Sequence, residues 1–370
     1  MFELLVVPVA LAVILFGRVA QRNRLRQRLD QDLDGWAQAL GMVRVGTELH
    51  GERHGVAVGA RLALEKKGKH APLWTLMARL APPLDLGLML HPGGAEFEDI
   101  TGGAPFVPIG DRRFDARFIV RADEPERAQA LLDEPLRQQL VQMLDPRAVF
   151  MLTDHGVAFQ THIQANFQWL NRALEVAATI AHSINRARDQ VPVASVLAEH
   201  RHAWQRFAQR SGLTGIGAPL CMWGRMAGAT VYAYSVRLAR KKYCLEIWLR
   251  FEEPLGLGLL IQPMSTLDRM KDLFAAEDYK LGEEIFDETF LVRVSNPEGA
   301  VALLDQATRE KLLALHRSLG PLSLTDEGLL VRLPRVPPDP AIVPSMVGQL
   351  LELATHIAQR RSQQRGGPYR

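Results

Sequence analysis

The sequence predicts an α+β protein: two tandem homologous domains with antiparallel sheets and flanking helices, preceded by one N-terminal transmembrane helix. Three observations predict it. A charge-free apolar run opens the chain, a long segment recurs at a constant offset of 172 residues, and strand-like and helix-like patterns come in blocks rather than alternating.

The first element is the anchor. Leu4 to Gly17 reads LLVVPVALAVILFG, without a charge. With its flanks it makes about 20 residues, roughly 30 Å of helix, enough to cross a bilayer core. Glu3 and Arg18 fall at its ends, where they reach headgroups. A secretory signal would carry its positive charges before the run and a small-residue cleavage site after it; here the charges follow and Phe-Gly-Arg stands at the end. An in-plane amphipathic helix would show a polar face, and this run has none. A buried soluble helix remains the competing reading for so short a run. We therefore expect a transmembrane helix over 1–20 and a basic juxtamembrane segment over 21–30. Arg18, Arg22, Arg24, Arg26 and Arg28 form an acid-free block. Positive residues beside a span stay in the cytoplasm and meet anionic headgroups.

The body is a different molecule electrically. The net charge is +3, but removing 1–28 and 359–370 leaves 35 basic and 40 acidic residues. A mildly acidic body argues against general nucleic-acid binding, which needs a basic face. The apolar fraction of 47% supplies a core for each of two domains. Two cysteines, Cys221 and Cys244, exclude a disulfide scaffold and a cysteine-rich metal motif. Free thiols in a reducing compartment are the plain expectation, with a Cys221–Cys244 bond as the alternative in an oxidising one.

The duplication is the strongest signal. Ile109–Leu140 lies on Leu281–Leu312 without a gap, with 15 of 32 positions identical. Gly110/Gly282, Phe114/Phe286, Asp115/Asp287, Phe118/Phe290, Pro125/Pro297, Asp133/Asp305 and Arg137/Arg309 are among them. The match extends to 79–92 against 250–263, and to Leu152-Thr-Asp-His-Gly against Leu324-Thr-Asp-Glu-Gly. Copies of this size exceed solenoid periods. We expect repeat 1 over 31–188, a linker over 189–195 where Pro192 ends a helix and Ser195 caps the next, repeat 2 over 196–360, and a disordered basic tail over 361–370.

Each repeat opens with a helix, 29–40 or 196–209. Two strands follow, 56–64 and 73–80 or 229–239 and 244–251, joined by lysine-containing turns. A further buried strand is expected at 84–90 or 255–261. The GD-x-x-FD-x-x-F-x-V motif then reads as a strand, with Phe114, Ala116, Phe118 and Val120 alternating onto one face. Pro125 and Pro297 suit the first position of a helix, and Glu124 or Asn296 can cap it. Asp133 and Asp305 can cap the next. Asp154-His-Gly and Asp326-Glu-Gly are hairpin turns, and long helices over 166–188 and 342–361 close the repeats.

No catalytic, cofactor-binding or metal-binding residue is singled out. His50 and His54 would share one face only on a helix, and Gly51 and Gly55 argue for a turn; the second copy has Trp223 and Ala227 there. Asp111 and Asp115, on a strand, would stand roughly 13 Å apart, too far to share a proton or a metal. Turn capping and a cross-strand arginine are their expected roles. Lys66, Lys67, Lys241 and Lys242, with the arginine block, are the candidate contacts to an anionic surface. The chain has no Walker loop, no G-x-S-x-G, no dinucleotide fingerprint and no kinase motif set.

The GD-x-x-FD-x-x-F pattern behind an N-terminal membrane segment resembles uncharacterised bacterial membrane-anchored proteins. The resemblance implies a single-pass location in the bacterial inner membrane and transfers no functional residue. The arginine block then sets the domains in the cytoplasm. The expected function is a non-enzymatic, membrane-anchored scaffold or protein-binding module. It would touch lipid through its N-terminal helix and engage a protein partner or a second copy through the duplicated body. The alternative is an enzyme of unknown type with a site between the two domains.

Overall fold

The computed structural model describes residues 31–45, 47–63, 73–93, 103–143, 149–161, 167–226, 229–239, 242–264 and 279–365. The expected span over 1–20, the arginine block, Lys66, Lys67, Lys241 and residues 366–370 lie outside them.

Two eight-stranded sheets carry the architecture. The first comprises β1 (Val43–Val45), β2 (Glu48–Arg53), β3 (Val56–Ala63), β4 (Leu73–Arg79), β5 (Met89–Pro92), β6 (Phe118–Arg121), β7 (Val149–Thr153) and β8 (Gly156–Thr161). The second comprises β9 (Thr214–Ile216), β10 (Cys221–Met226), β11 (Ala229–Ala239), β12 (Lys242–Arg250), β13 (Leu260–Pro263), β14 (Phe290–Arg293), β15 (Leu322–Thr325) and β16 (Gly328–Leu333). The strand orders are β1-β2-β3-β4-β8-β7-β5-β6 and β9-β10-β11-β12-β16-β15-β13-β14. These are one topology written twice, so the internal duplication holds at the level of the fold. The pairings are antiparallel, as blocks of strands joined by tight turns require.

The chain divides into two compact units, 1–78 with 158–179 and 79–157 with 180–370. In the smaller, a helix over 31–40 (α1) buries Leu33, Ala37 and Leu40, and Trp36 rests on Trp74 at 5.4 Å. In the larger, the helices Arg201–Arg210, Glu284–Thr289, Pro297–Leu303, Gln306–Leu319 and Val343–Arg365 cover one face of the second sheet. Its core joins Trp204, Leu245, Ile247, Leu249, Phe286 and Leu350, so the period-two strands and period-3.6 helices meet along their apolar sides.

The motif region differs from the expected strand. Residues Arg112–Asp115 form a short helix, α2, and the strand starts only at Phe118. The second copy does the same, with Glu284–Thr289 before Phe290. Local side-chain hydrogen bonds decide it. The Asp115 carboxylate accepts from the N–H groups of Ile109 and Gly110 at 3.1 and 2.9 Å, and Asp287 from Leu281 and Gly282 at 3.0 and 2.9 Å. Asp111 accepts from Arg113 and Phe114, the N-cap pattern. Asp115 therefore has no cross-strand arginine role, and the strand spacing of Asp111 and Asp115 does not apply. Phe114 and Phe118 still meet in the core, at 4.8 Å, as Phe286 and Phe290 do at 5.0 Å. Arg137 ties Asp111 to the Leu132 carbonyl, and Arg309 ties Glu283 to the Leu304 carbonyl.

The buried strand expected at 84–90 is also shorter. Only Met89–Pro92 and Leu260–Pro263 pair. The preceding N–H groups are taken by the hairpin aspartates instead. Asp154 accepts from Leu86, Gly87 and Leu88 at 2.8–3.2 Å, and Asp326 from Leu257, Gly258 and Leu259 at 2.7–3.1 Å. Gly87 and Gly258, at φ 63° and 62°, supply the left-handed bend that aims three successive donors at one carboxylate. Gly256-Leu-Gly258 is thus a clamped turn rather than strand interior.

Smaller elements follow expectation with adjustments. Pro125 and Pro297 start their helices; Asn296 caps with its side chain and Glu124 does not. Asp133 and Asp305 accept from Leu136 and Thr308. The helix expected from 196 begins as a 3-10 turn, Ser195–His200, and Ser195 donates its N–H to Glu124 instead of capping. Cys221 and Cys244 are buried free thiols.

Among the described residues one helical stretch, Pro340–Gln363, is long and apolar enough to cross a membrane. Its Val343, Met346, Val347, Leu350, Leu353 and Ile357 belong to the core of the second sheet, and a core helix passes the same length-and-composition test.

Candidate functional site

Among the described residues the helices that pack on the second sheet lie on one face, and the other face carries the feature most unlike a structural surface. Successive strand residues alternate between the faces. On β10, β11 and β12, Met222, Val231, Ala233, Ile247 and Leu249 point into the helical layer. Their neighbours Trp223, Tyr232 and Trp248 point away. Register aligns these three in one row across the strands, ending at Leu330 on β16. Trp223 and Tyr232 stack at 5.9 Å with 11° between planes, and Tyr232 and Trp248 at 5.2 Å and 27°. Trp223 is 38% exposed. Tyr232 and Trp248 are half-buried, so this stacked ridge is open to solvent chiefly at its Trp223 end.

Polar rows flank the ridge. On one side Arg225, Thr230 and Arg250 are in register, and Arg225 also reaches Glu252 at 2.6 Å in an exposed ion pair. On the other, Tyr234, Glu246 and Arg332 align. Glu246 and Tyr234 are buried there, while the Arg332 side chain is half-exposed and bonds Glu246 at 2.5 and 2.9 Å. Burial first, and the Glu246 carboxylate second, push the Tyr234 hydroxyl far up, so it stays protonated and donates to Glu246.

The first copy holds the same row positions with other residues. His50, Gly59 and Met77 are in register across β2, β3 and β4, where the second copy has Trp223, Tyr232 and Trp248. One backbone therefore presents an aromatic ridge in one copy and a histidine, a glycine and a methionine in the other.

Within the larger unit a second cluster centres on the buried side chains of Asp85, Arg127, Arg188 and Ser235. Asp85, fully inaccessible, accepts from Arg127 at 2.5 Å and from the Ser235 hydroxyl at 2.9 Å. Arg127 also donates to the carbonyls of Asp85 and Pro192, and Tyr243 to the Asp85 carbonyl. Arg237 pairs with Asp123, and Arg188 bonds the Pro82 carbonyl. Desolvation drives the Asp85 carboxyl above the usual range, and Arg127 opposes it. Asp85 itself is matched on both oxygens, by Arg127 and by Ser235, so its chemistry is that of a lock.

His50 and His54 lie in different parts of the β2–β3 hairpin. His50 lies on β2 beside Glu48 at 3.2 Å; His54 sits in the β2–β3 turn, at φ 52°, beside Glu175 at 2.9 Å. Among the described residues no group of three His, Cys, Asp or Glu is placed to hold a metal. Lys242, the described member of the lysine set, starts β12 and is exposed.

No protein-family model matches the chain, and no characterised protein matches it in sequence. One solved structure shows remote similarity, the mycobacterial trehalose monomycolate transport factor A: TM-score 0.32, 12% identity, 44% of this chain and 96% of that one. At that distance it bears on neither fold nor function.

Sequence reasoning missed both clusters, although each leaves the same trace. The copies differ at Asp85/Gly256 and Arg127/Gly299 together, and at the three row positions together. Substitutions that change in concert between copies mark surfaces the two repeats do not share.

Proposed function

We propose that this chain is a non-enzymatic, membrane-anchored binding module built from a duplicated domain, and that a protein partner docks on the open face of its second sheet. One observation carries the reading: the Trp223–Tyr232–Trp248 ridge occurs in only one of two equivalent rows. A structural requirement of the fold would have kept similar residues in both. Tryptophan, tyrosine and arginine are the residues on which interface energy concentrates, and a charged rim around an aromatic centre is the ordinary anatomy of such a surface. The proposed location is the bacterial inner membrane. The 1–20 run would span it and the Arg18–Arg28 block would hold the domains on the cytoplasmic side.

The test is site-specific photo-crosslinking of the full-length chain in its native membranes. A photoreactive residue at Thr230, between Arg225 and Arg250 on one flank of the ridge, should give a discrete protein adduct. The same residue at Ala57, the matching position of the first copy, should not. Equal adducts from both sites, or none from either, would remove the reading.

A further inference from the structure

Independently of the ridge, we infer that the free edge of the second sheet takes an extended segment of a partner protein. The segment adds a strand beside β9 and seats one phenyl-sized side chain between β9 and the Arg201–Arg210 helix. Three observations point to it. The first is the edge itself. β9 ends the second sheet, and among the described residues its outer side takes no backbone hydrogen bond. The opposite margin of each sheet is closed, by Val107 donating to Val120 in the first and by Tyr279 donating to Val292 in the second, both at 2.9 Å. An uncovered margin is a row of N–H and C=O groups that an extended chain satisfies.

The second is a groove beside that edge. Arg201, Trp204 and Gln205 of the helix and Gly215 of β9 line a cavity of about 170 Å³, with the buried side chains of Val193 and Leu220 beneath. A cavity of roughly 150 Å³ is enough to hold benzene, so this one has room for a phenyl ring. At one end the linker closes it: a Cβ on Gly217 would lie 2.7 Å from the Val191 carbonyl oxygen. The third observation is what the first copy does at the same place. Register sets Gly215 opposite Met222 on β10, and Arg44 opposite Leu49 on β2, both toward the helices. Arg44 reaches Asp34 of α1 at 2.9 Å, so a side chain of the protein itself bridges strand and helix there. With Trp36 laid on Trp204, His202 stands in the place of Asp34. Glycine at 215 cannot send a bridge across, and the second groove is left open to a side chain from outside.

The experiment uses the full-length chain in phospholipid nanodiscs and dye-labelled seven-residue peptides of alternating threonine and valine with a central phenylalanine, read by anisotropy. The parent peptide should bind, and replacing its phenylalanine by alanine should weaken binding about ten-fold or more. Methylating the backbone nitrogens along one edge of the peptide should abolish binding, and along the other edge should change it by less than about three-fold, because a strand added to a sheet margin is bonded on one side only. Gly215→Arg combined with His202→Asp copies the Arg44–Asp34 bridge and should weaken the parent peptide about ten-fold or more. A Cβ at 215 would meet nothing closer than 3.7 Å, so this variant should keep its urea midpoint. The inference is overturned if the two methylated peptides bind alike, if the alanine peptide binds as well as the parent, or if the bridged variant keeps full affinity. A synthetic 361–370 segment that displaces the parent peptide at equal concentration would give the groove to the chain's own tail and overturn it too. A Thr230 adduct that survives these failures leaves the ridge standing, and loss of that adduct alone leaves the groove standing.

Discussion

Removing the carboxylate of Asp85 should cost more than removing both partners of its ion pair. Asp85 is completely buried and Arg127 is 3% exposed, so Asp85→Ala leaves a guanidinium in the interior held by two carbonyls and by Glu124 at 3.6 Å. An orphaned buried charge costs about 3–5 kcal/mol, a third or more of the stability of a typical domain. Arg127→Met leaves the converse problem, a buried carboxylate retaining the Ser235 hydroxyl. Its desolvation already favours the protonated form, so this variant should lose stability most steeply as pH rises. The double variant removes both charges, and its cost should fall short of the sum of the singles by about 2 kcal/mol or more. The assay is equilibrium urea unfolding of the full-length protein in detergent micelles, followed by tryptophan fluorescence, on the complete mutant cycle. Additivity within about 0.5 kcal/mol would refute the reasoning, because it would mean the two side chains do not depend on one another.

Four further outcomes follow from the same structure. Asp326→Ala strands the N–H groups of Leu257, Gly258 and Leu259 and should cost about 2–3 kcal/mol, with hydrogen exchange accelerated at those three amides above the rest of the second sheet. Burial raises the Asp154 carboxyl from 3.8 to about 6 against the pull of three N–H donors. Because the folded value is the higher one, its contribution is complete below pH 4 and is lost as pH rises through 6. Stability relative to Asp154→Asn should therefore fall by roughly 2 kcal/mol between pH 4 and pH 7, and a flat difference in urea midpoints contradicts it. Giving the second row the residues of the first, with Trp223→His, Tyr232→Gly and Trp248→Met together, should abolish the Thr230 adduct while the circular dichroism spectrum is kept. Cys221 and Cys244, whose thiols burial pushes up, should resist maleimide in the folded protein and react once urea unfolds it.

The sequence was most legible where information is local or doubled. Pro125 and Pro297 mark helix starts, Asp154-His-Gly and Asp326-Glu-Gly mark turns, and the hairpins over 56–79 and 229–250 lie within two residues of their expected ends. Identity between the copies makes the duplication plain in the sequence itself. The motif misled for a physical reason: alternation of Phe114, Phe118 and Val120 fits a strand. Only the carboxylates of Asp111 and Asp115, bonding back to nearby N–H groups, reveal the helical turn between them. The Asp154 clamp was hidden because its donors lie 66–68 residues away in sequence. The aromatic ridge was hidden differently. Tyr232 and Tyr234 are neighbours on one face of one strand, yet register joins Tyr232 to Trp223 and Trp248 and joins Tyr234 to Glu246 and Arg332.

The two hairpin aspartates also set a schedule for synthesis. The turn at 86–88 cannot settle until Asp154 has left the ribosome, and the turn at 257–259 must wait for Asp326. Each copy therefore ripens only when its closing third is made, with β5 and β13 left until then as open sheet margins. A nascent chain stalled just short of Asp154 or Asp326 should be the form most readily seized by chaperones. One stalled a few tens of residues beyond should have escaped them.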